Sequence, residues 1–184
     1  MRQYFIPLVL ALSLFAAMPA RAGTLPPLPQ KSPAIEQPQT AGPVVKIEVR
    51  KQQRRMYLLD KDNNVVHSYH ISLGWSPKGR KTQEGDGKTP EGNYIIDTRN
   101  ERSDYYRSLH ISYPGKDDIA RAKKMHVSPG GDVFIHGKPD FKFWMFWKYN
   151  KMNDWTNGCI AVDDSDMHEI WDLVQDGTPI TINP

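Results

Sequence analysis

Residues 44–73 read VVKIEVRKQQRRMYLLDKDNNVVHSYHISL, and this stretch determines the fold class. Apolar side chains alternate with polar ones at Val45, Ile47 and Val49, and short apolar segments continue on either side of the polar run 60–64. A period of two places alternate side chains on one face of a strand, and an Asp- and Asn-rich run between two such segments is typical of a hairpin turn. The stretch therefore predicts strands rather than a helix.

The chain beyond residue 73 continues this pattern, with helices at two places. Segments 94–96, 133–136, 159–162 and 179–182 predict strands, and 85–92 is a tight loop because Gly and Pro are dense there. Helices are predicted over 117–125 and after the acidic run 163–166, whose side chains can accept hydrogen bonds from the first-turn amides. We expect a mainly β domain over residues 44–184, a β-sandwich carrying one to three short helices.

The first 43 residues carry a different composition. Residues 1–22 predict a cleavable signal peptide, with Arg2 at the start, an apolar run, and a small-x-small site at Ala20, Arg21 and Ala22. Residues 23–43 are rich in Pro and predict an extended tether, which is either a spacer or a leader without a required length. The apolar run is shorter than the roughly 20 residues that span a bilayer. We therefore expect an exported, periplasmic protein without stable membrane insertion.

The net charge and the cysteine content exclude several classes of protein. Removing residues 1–22 takes away Arg2 and Arg21 and no acid, so the net charge falls from +3 to +1, which argues against nucleic-acid binding. The one cysteine, Cys159, excludes both an internal disulfide and a lipid-modified N-terminal cysteine. No structural zinc site can be assembled from one Cys and dispersed histidines, and the sequence predicts no metal and no cofactor.

Cys159 and His136 are the candidate pair for chemistry. Cys159 follows Gly158, which permits a positive φ or a close backbone approach, and free amides beside a thiol can stabilise an oxyanion. His136 ends a predicted strand, and an imidazole can take the proton of a thiol to form a thiolate-imidazolium pair. Each residue also has a purely structural interpretation, as a buried small apolar group and as a hydrogen-bonded histidine.

Several motifs together resemble the signature of the YkuD-type L,D-transpeptidases. That signature has a His-Gly pair, a gap, and then Ser/Thr-x-Gly-Cys followed by an aliphatic residue. The resemblance covers residues 44–184 and rests on five stretches of sequence: 135–137 (IHG), 156–160 (TNGCI), 85–92 (GDGKTPEG), 109–114 (LHISYP) and 176–182 (DGTPITI).

The resemblance implies a β-sandwich with the site in a cleft, and it implies roles for single residues. Cys159 becomes the nucleophile and His136 its base, with the Gly137 carbonyl orienting the imidazole and the Gly158 and Cys159 amides forming the oxyanion hole. Thr156 and Asn157 become candidate substrate contacts. His110 and Ser112 either line the cleft or make ordinary strand hydrogen bonds.

The implied reaction is attack by the thiolate on a peptidoglycan stem tetrapeptide, with release of the terminal D-alanine. The acyl group then passes to an amine, from a second stem peptide or from a protein lysine. The same acyl-enzyme resolved by water would give a carboxypeptidase or endopeptidase. A wall-binding module without catalysis is a further alternative, although it needs neither Cys159 nor His136.

Three departures from the family pattern concern the acceptor and the carboxylate contact. Asn157 stands where many members have a second histidine, and Ala161 stands near the place of a common arginine. Lys138, Arg102 and Arg107 are possible replacements for that arginine, or solvated surface charges. The gap after His136 is longer than usual and contains the aromatic run 141–149, which either borders the site or packs as scaffold.

Overall fold

The computed structural model describes residues 42–139 and 154–184. The predicted signal peptide, nearly all of the tether and the aromatic run 141–149 lie outside these ranges. Two helices are present within them, α1 (Lys116–Lys124) and α2 (Asp164–Leu173). The strands of the described ranges are β1 (Lys46–Arg50), β2 (Arg55–Leu59), β3 (Val65–His70), β4 (Gly92–Ser103), β5 (Tyr106–Ile111), β6 (Phe134–His136), β7 (Ile160–Ala161) and β8 (Pro179–Asn183).

These strands form one sheet in the order β3-β2-β1-β8-β4-β5-β6-β7. Neighbours pair antiparallel except for β1 with β8 and β6 with β7, which are parallel. The long strand β4 connects the two halves of the sheet, because its first residues pair with β8 and the residues from Ile96 onward pair with β5. The run 60–64 is the hairpin turn between β2 and β3, as the sequence predicts.

The two ends of this strand order meet each other. Beyond β3, Ser72 and Ala161 exchange backbone hydrogen bonds of 2.8 and 2.9 Å, and Gly74 bridges to Thr156. The sheet therefore folds back over a single hydrophobic core. The core draws Ile47 from one half and Leu109 from the other. The prediction of a mainly β, sandwich-type domain with short helices is confirmed.

The acidic run before α2 works differently from the prediction. Asp163 is the N-cap residue, but its side chain forms no capping hydrogen bond. Instead Asp163 forms an ion pair with Lys138, and Asp164 Oδ1 accepts a 2.7 Å hydrogen bond from the Lys138 amide. The predicted capping bonds are therefore wrong, because these carboxylates attach the chain after β6 to the start of the helix.

The loop 85–92 is fixed to the sheet by a buried ion pair. Lys51 Nζ donates to Glu91 Oε1 at 2.8 Å and to the Thr89 carbonyl at 2.9 Å. Burial lowers the pKa of Lys51, against the opposing effect of Glu91. The Thr89 hydroxyl in turn accepts a 3.0 Å hydrogen bond from the Gly74 amide. These bonds hold the loop beside the segment that carries Cys159.

Candidate active site

His136 and Cys159 come from two neighbouring parallel strands. β6 pairs with β7 in the register Ile135 to Ile160, and Cys159 directly precedes β7. Both isoleucines are fully buried, so alternation turns His136 and Cys159 to the opposite face. Neighbouring strands lie about 4.8 Å apart and two residues span about 6.6 Å along a strand, so His136 and Cys159 form a diagonal pair on adjacent strands. Both side chains line the same cavity.

The turn before Cys159 depends on Gly158. Its φ is +135°, and a Cβ at this position would lie 2.8 Å from the Lys88 carbonyl oxygen. The Thr156 hydroxyl accepts a 3.1 Å hydrogen bond from the Gly158 amide and donates a 2.7 Å bond to the Cys159 carbonyl. The positive φ and the close backbone approach predicted for Gly158 are both present.

This turn changes two of the predicted roles. The Gly158 amide already donates to Thr156, so the structure does not present it as a free oxyanion donor, and the Cys159 amide remains the candidate. Thr156 is buried, and its hydroxyl is engaged within the turn. Thr156 therefore shapes the loop rather than offering a free hydroxyl to substrate, although it lines the cavity.

The start of this segment is fixed by a charged pair. The Arg54 guanidinium binds both carboxylate oxygens of Asp154, through Nε at 2.9 and 3.0 Å and through Nη2 at 2.6 Å. Asp154 Oδ1 also accepts a 3.0 Å hydrogen bond from the Leu73 amide. A fork-like, half-buried pair of this kind is stronger and more specific in geometry than a surface ion pair. It ties the residues before Cys159 to the chain that follows β3.

We expect Gly158→Ala to destabilise the protein and remove its activity. The new Cβ would meet the Lys88 carbonyl in a backbone conformation that already disfavours side chains. We expect a loss of about 2 to 4 kcal/mol in the free energy of unfolding, measured by urea denaturation. Gly177→Ala is the matched control, because Gly177 also has a positive φ (+89°) but open space around its Cβ. An equal loss in both variants would show that the contact with Lys88 contributes nothing.

His136 is held in one tautomer. Its Nδ1 lies 2.6 Å from the Gly137 carbonyl oxygen, so Nδ1 carries the proton and Nε2 is the free acceptor in the neutral ring. The residue is 5% exposed, with the Tyr105 ring 4.6 Å and the Trp155 ring 5.8 Å from the imidazole, centre to centre. Burial lowers the pKa of His136, partly opposed by the bond to Gly137.

Cys159 is half-buried, and its pKa is raised, whereas the pKa of His136 is lowered. Its Sγ lies 3.7 Å from the Asp132 carbonyl oxygen. Burial raises the pKa of the thiol, a hydrogen bond with the Phe134 backbone opposes this, and the smaller effects of the Asp132 carboxylate and of Lys81 raise and lower it respectively. Burial thus favours a neutral thiol beside a neutral imidazole. This differs from the predicted thiolate-imidazolium pair, so we infer that the proton moves to His136 when substrate is attacked.

The cavity that contains both residues has a volume of about 430 Å³. The tip of the β4–β5 hairpin forms one wall, including Arg102 and Tyr105. Of the three basic candidates for the missing arginine, Arg102 lines this cavity. Lys138 pairs with Asp163, and Arg107 lies over the Trp171 ring at 5.2 Å. Arg102 is therefore the cation that the structure brings to the site.

A second cavity of about 410 Å³ adjoins Cys159 from another side. It is bordered by Trp75 and Glu84 from the loop region and by Asp132 from the turn before β6. Cys159 and Asn157 line both cavities. Asn157 is exposed, which agrees with a substrate contact.

His110 and Ser112 are not brought to the site. His110 Nδ1 lies 2.6 Å from Asp97 Oδ1, and the Ser112 hydroxyl accepts a 3.0 Å hydrogen bond from the Ile95 amide. Neither residue lines either cavity beside Cys159. The interpretation as substrate contacts is thus not supported, and the alternative of strand-to-strand hydrogen bonds describes both residues.

Sequence reasoning missed Tyr105, Trp155 and the hairpin tip. Tyr105 and Trp155 stack on each other with ring centres 6.3 Å apart, and both contact His136. The signal for the hairpin was the polar run 100–104 between two strands, which is typical of a turn. Nothing local indicates that the tip folds over His136.

Two further features of the described ranges bear on the class of protein. Neither helix there is long and apolar enough to cross a membrane. No three His, Cys, Asp or Glu side chains in these ranges converge as metal ligands would.

The chain belongs to the family of L,D-transpeptidase catalytic domains, since the YkuD family pattern matches residues 45–182. A relative from Escherichia coli (strain K12), whose name YafK carries a provisional L,D-transpeptidase assignment, is 30% identical over 104 residues. That alignment covers 54% of this chain and 40% of the relative, so this chain corresponds to less than half of that protein.

Solved structures agree on the fold. The helical cell shape determining protein Pgp2 from Campylobacter jejuni superposes with a TM-score of 0.58 at 22% identity, over 76% of this chain and 47% of that one. Bd1075 of Bdellovibrio bacteriovorus gives a TM-score of 0.54 at 22% identity, over 76% and 48%. At this identity the similarity concerns the fold alone.

Proposed function

We propose that the protein is a cysteine-dependent L,D-transpeptidase acting on peptidoglycan stem tetrapeptides. The observation that carries the proposal is that His136 and Cys159 line the same cavity, with His136 Nδ1 bound to the Gly137 carbonyl. This arrangement leaves Nε2 as the base for the thiol proton. Membership of the L,D-transpeptidase family supports the substrate class.

The first half-reaction forms a thioester. The thiol proton passes to His136 Nε2, and Cys159 Sγ attacks the carbonyl carbon before the terminal D-alanine. The C–N bond then breaks, and the leaving amine takes the proton from the imidazolium. The Cys159 amide is the donor for the oxyanion, and Arg102 is the cation for a substrate carboxylate.

The second half-reaction transfers the acyl group to an amine. A neutral amine attacks the thioester, its surplus proton passes through His136 to the sulfur, and the C–S bond breaks. The acceptor is an amine of a second stem peptide or of a wall-attached protein. The cavity has room for such a group beside Cys159, on the side where Trp75 and Asp132 lie.

Product analysis tests this proposal. Purified protein is incubated with disaccharide tetrapeptides, and the products are separated and identified by mass spectrometry. Dimers joined through diaminopimelate are expected, with free D-alanine in equal amount. Shortened monomers alone would assign the protein as a hydrolase, and untouched substrate would contradict the enzyme assignment.

We also propose that the protein acts after export. A peptidoglycan substrate lies outside the cytoplasm, and residues 1–22 have the composition of a cleavable signal. N-terminal sequencing of the protein recovered from the periplasm is expected to begin at Gly23. Recovery of a cytoplasmic protein that still begins at Met1 would contradict export.

A further inference from the structure

The β4–β5 hairpin presents two different faces. Asn100 and Ser108 stand opposite each other in the strand pairing, and both line the cavity that contains Cys159. Because side chains alternate along a strand, the neighbouring Arg99 and Arg107 point to the other face. On that face both arginines contact α2. The hairpin therefore lies between the cavity and this helix.

Trp171 of α2 contacts both arginines through its indole ring. The guanidinium of Arg99 is 4.1 Å from the centre of the ring, and that of Arg107 is 5.2 Å from it. Arg99 Nη2 also donates a hydrogen bond to the Trp171 carbonyl oxygen. Beside Arg107, the Tyr106 hydroxyl lies 3.1 Å from His168 Nδ1 on the same helix. Both strands of the hairpin are thus attached to α2, and a cation–π contact is stronger where the cation is shielded from water.

Burial of Arg99 is unfavourable unless its contacts offset it. Within the described ranges its Nε is shielded from water and has no hydrogen-bond partner. A buried donor without an acceptor destabilises the folded state. An aliphatic side chain would fill this place without that penalty. The presence of an arginine against the Trp171 ring therefore indicates that the contact itself has a role.

The helix that carries Trp171 is fixed to the rest of the domain. Met167 and Ile170 on its inner face are fully buried in the core. At its start, Asp164 Oδ1 accepts a hydrogen bond from the Lys138 amide, in the chain that follows β6. This helix is therefore a fixed element to which the hairpin is attached.

The tip of the hairpin is ordered by its own side chains. The Asn100 side-chain oxygen accepts a 2.9 Å hydrogen bond from the Arg102 amide, and the Ser103 hydroxyl accepts a 3.2 Å bond from the Tyr105 amide. Arg102 and Tyr105 line the cavity, and the Tyr105 ring lies 4.6 Å from the His136 imidazole, centre to centre. Since these bonds are internal to the tip, its position at the cavity depends on where the base of the hairpin is held.

We propose that Trp171 is a positioning residue that holds the hairpin tip at the cavity through the two arginines. In this position Arg102 can reach the substrate carboxylate. The proposal rests on the function proposed above and adds to it a residue outside the site. Trp171 lines neither cavity beside Cys159, so its effect on the substrate must pass through the hairpin.

Hydrogen exchange, followed by mass spectrometry, tests the hold on the hairpin without any substrate. In Trp171→Leu, the amides of residues 100–106 are expected to exchange about 10-fold faster than in the wild type, because both cation–π contacts are lost. Trp171→Phe retains an aromatic face and should stay within about threefold of the wild type. If Trp171→Leu does not fold, Arg107→Gln removes one contact from the hairpin side and should accelerate exchange about threefold.

Ile170→Val is the matched control for this experiment. Ile170 is the neighbour of Trp171 on α2, but its side chain is fully buried in the core. The substitution loosens the packing of the helix while the contacts of Trp171 with the arginines remain. Exchange at the hairpin tip should therefore stay unchanged.

A kinetic experiment tests whether Trp171 acts through Arg102. Trp171→Leu is expected to raise the KM for the disaccharide tetrapeptide about 5-fold, with a smaller change in kcat. Arg102→Gln should raise KM at least as much. In the double variant, Trp171→Leu should add less than about twofold to the effect of Arg102→Gln, because the contact with the carboxylate is already lost. Release of D-alanine is the measured reaction.

The outcomes separate this inference from the proposed function. Unchanged exchange at the tip in both Trp171→Leu and Arg107→Gln would overturn the inference, as would an equal rise in KM in Ile170→Val. A rise in KM that Trp171→Leu causes in full when Arg102 is already replaced would also overturn it. Absence of D-alanine release from the wild type would instead refute the proposed function, and hydrogen exchange would still decide whether Trp171 holds the hairpin.

Discussion

Cys159→Ala is expected to reduce D-alanine release from stem tetrapeptides by at least about 10⁴-fold, below most detection limits. Without the sulfur no thioester can form. Hydroxyl groups of Ser103, Ser108 and Thr156 also line the cavity, but an alcohol is a much weaker nucleophile than a thiol. The half-buried thiol contributes little packing, so the free energy of unfolding should change by about 1 kcal/mol or less. Release of D-alanine is followed by chromatography, and folding by circular dichroism.

Cys159→Ser is the conservative comparison. It keeps a nucleophilic atom at the same place, but an alcohol is much less acidic than a thiol and His136 has a lowered pKa. We expect residual activity no higher than about one-hundredth of the wild type. Unchanged turnover in Cys159→Ala would refute the assignment of the nucleophile.

His136→Gln is expected to lower kcat/KM by about 10²- to 10⁴-fold. Glutamine can still donate to the Gly137 carbonyl, yet it cannot accept the thiol proton. His110→Gln is the matched control, because His110 lies on the adjacent strand β5, pairs with Asp97 and lines neither cavity. It should retain activity within about twofold. A similar loss in both variants would mean that the imidazole of His136 acts only through stability.

Both kcat/KM and stability are expected to fall at acid pH because of His136. Burial depresses the folded-state pKa of His136 below its ordinary value of about 6.5. The neutral base therefore persists below that pH, and the acid limb of kcat/KM should lie below about 6.5. The unfolded chain binds the proton more readily, so the stability linked to neutral His136 is fully present above about pH 6.5 and is lost as the pH falls toward the depressed value. His136→Gln should show a weaker acid dependence of stability.

Local patterns were sufficient for much of the fold. Alternation at Ile47 and Val49 predicted β1, and apolar spacing at Met167 and Ile170 predicted α2, because both patterns reflect which side chains face the core. The pairing of β1 with β8 and the closure at Ser72 and Ala161 join residues far apart in sequence. No local pattern encodes such contacts.

The candidate site also contains some features that the sequence predicts and others that only the structure shows. The resemblance to the family signature singles out Cys159, His136 and the glycine before the thiol, and their catalytic roles stay predictions. The hydrogen bond from the Gly158 amide to the Thr156 hydroxyl could not be predicted, because the turn that joins them is visible only in three dimensions. Tyr105 was missed for a related reason: its contact with His136 depends on how the β4–β5 hairpin bends over β6.

Mass spectrometry of the intact protein, quenched in acid during turnover of a disaccharide tetrapeptide, tests the covalent chemistry most directly. We predict a species heavier by the substrate minus D-alanine, with the added mass mapped to the peptide that contains Cys159 and absent from Cys159→Ala. Steady release of D-alanine with no adduct on Cys159, or an adduct on another residue, would contradict a thioester at this sulfur.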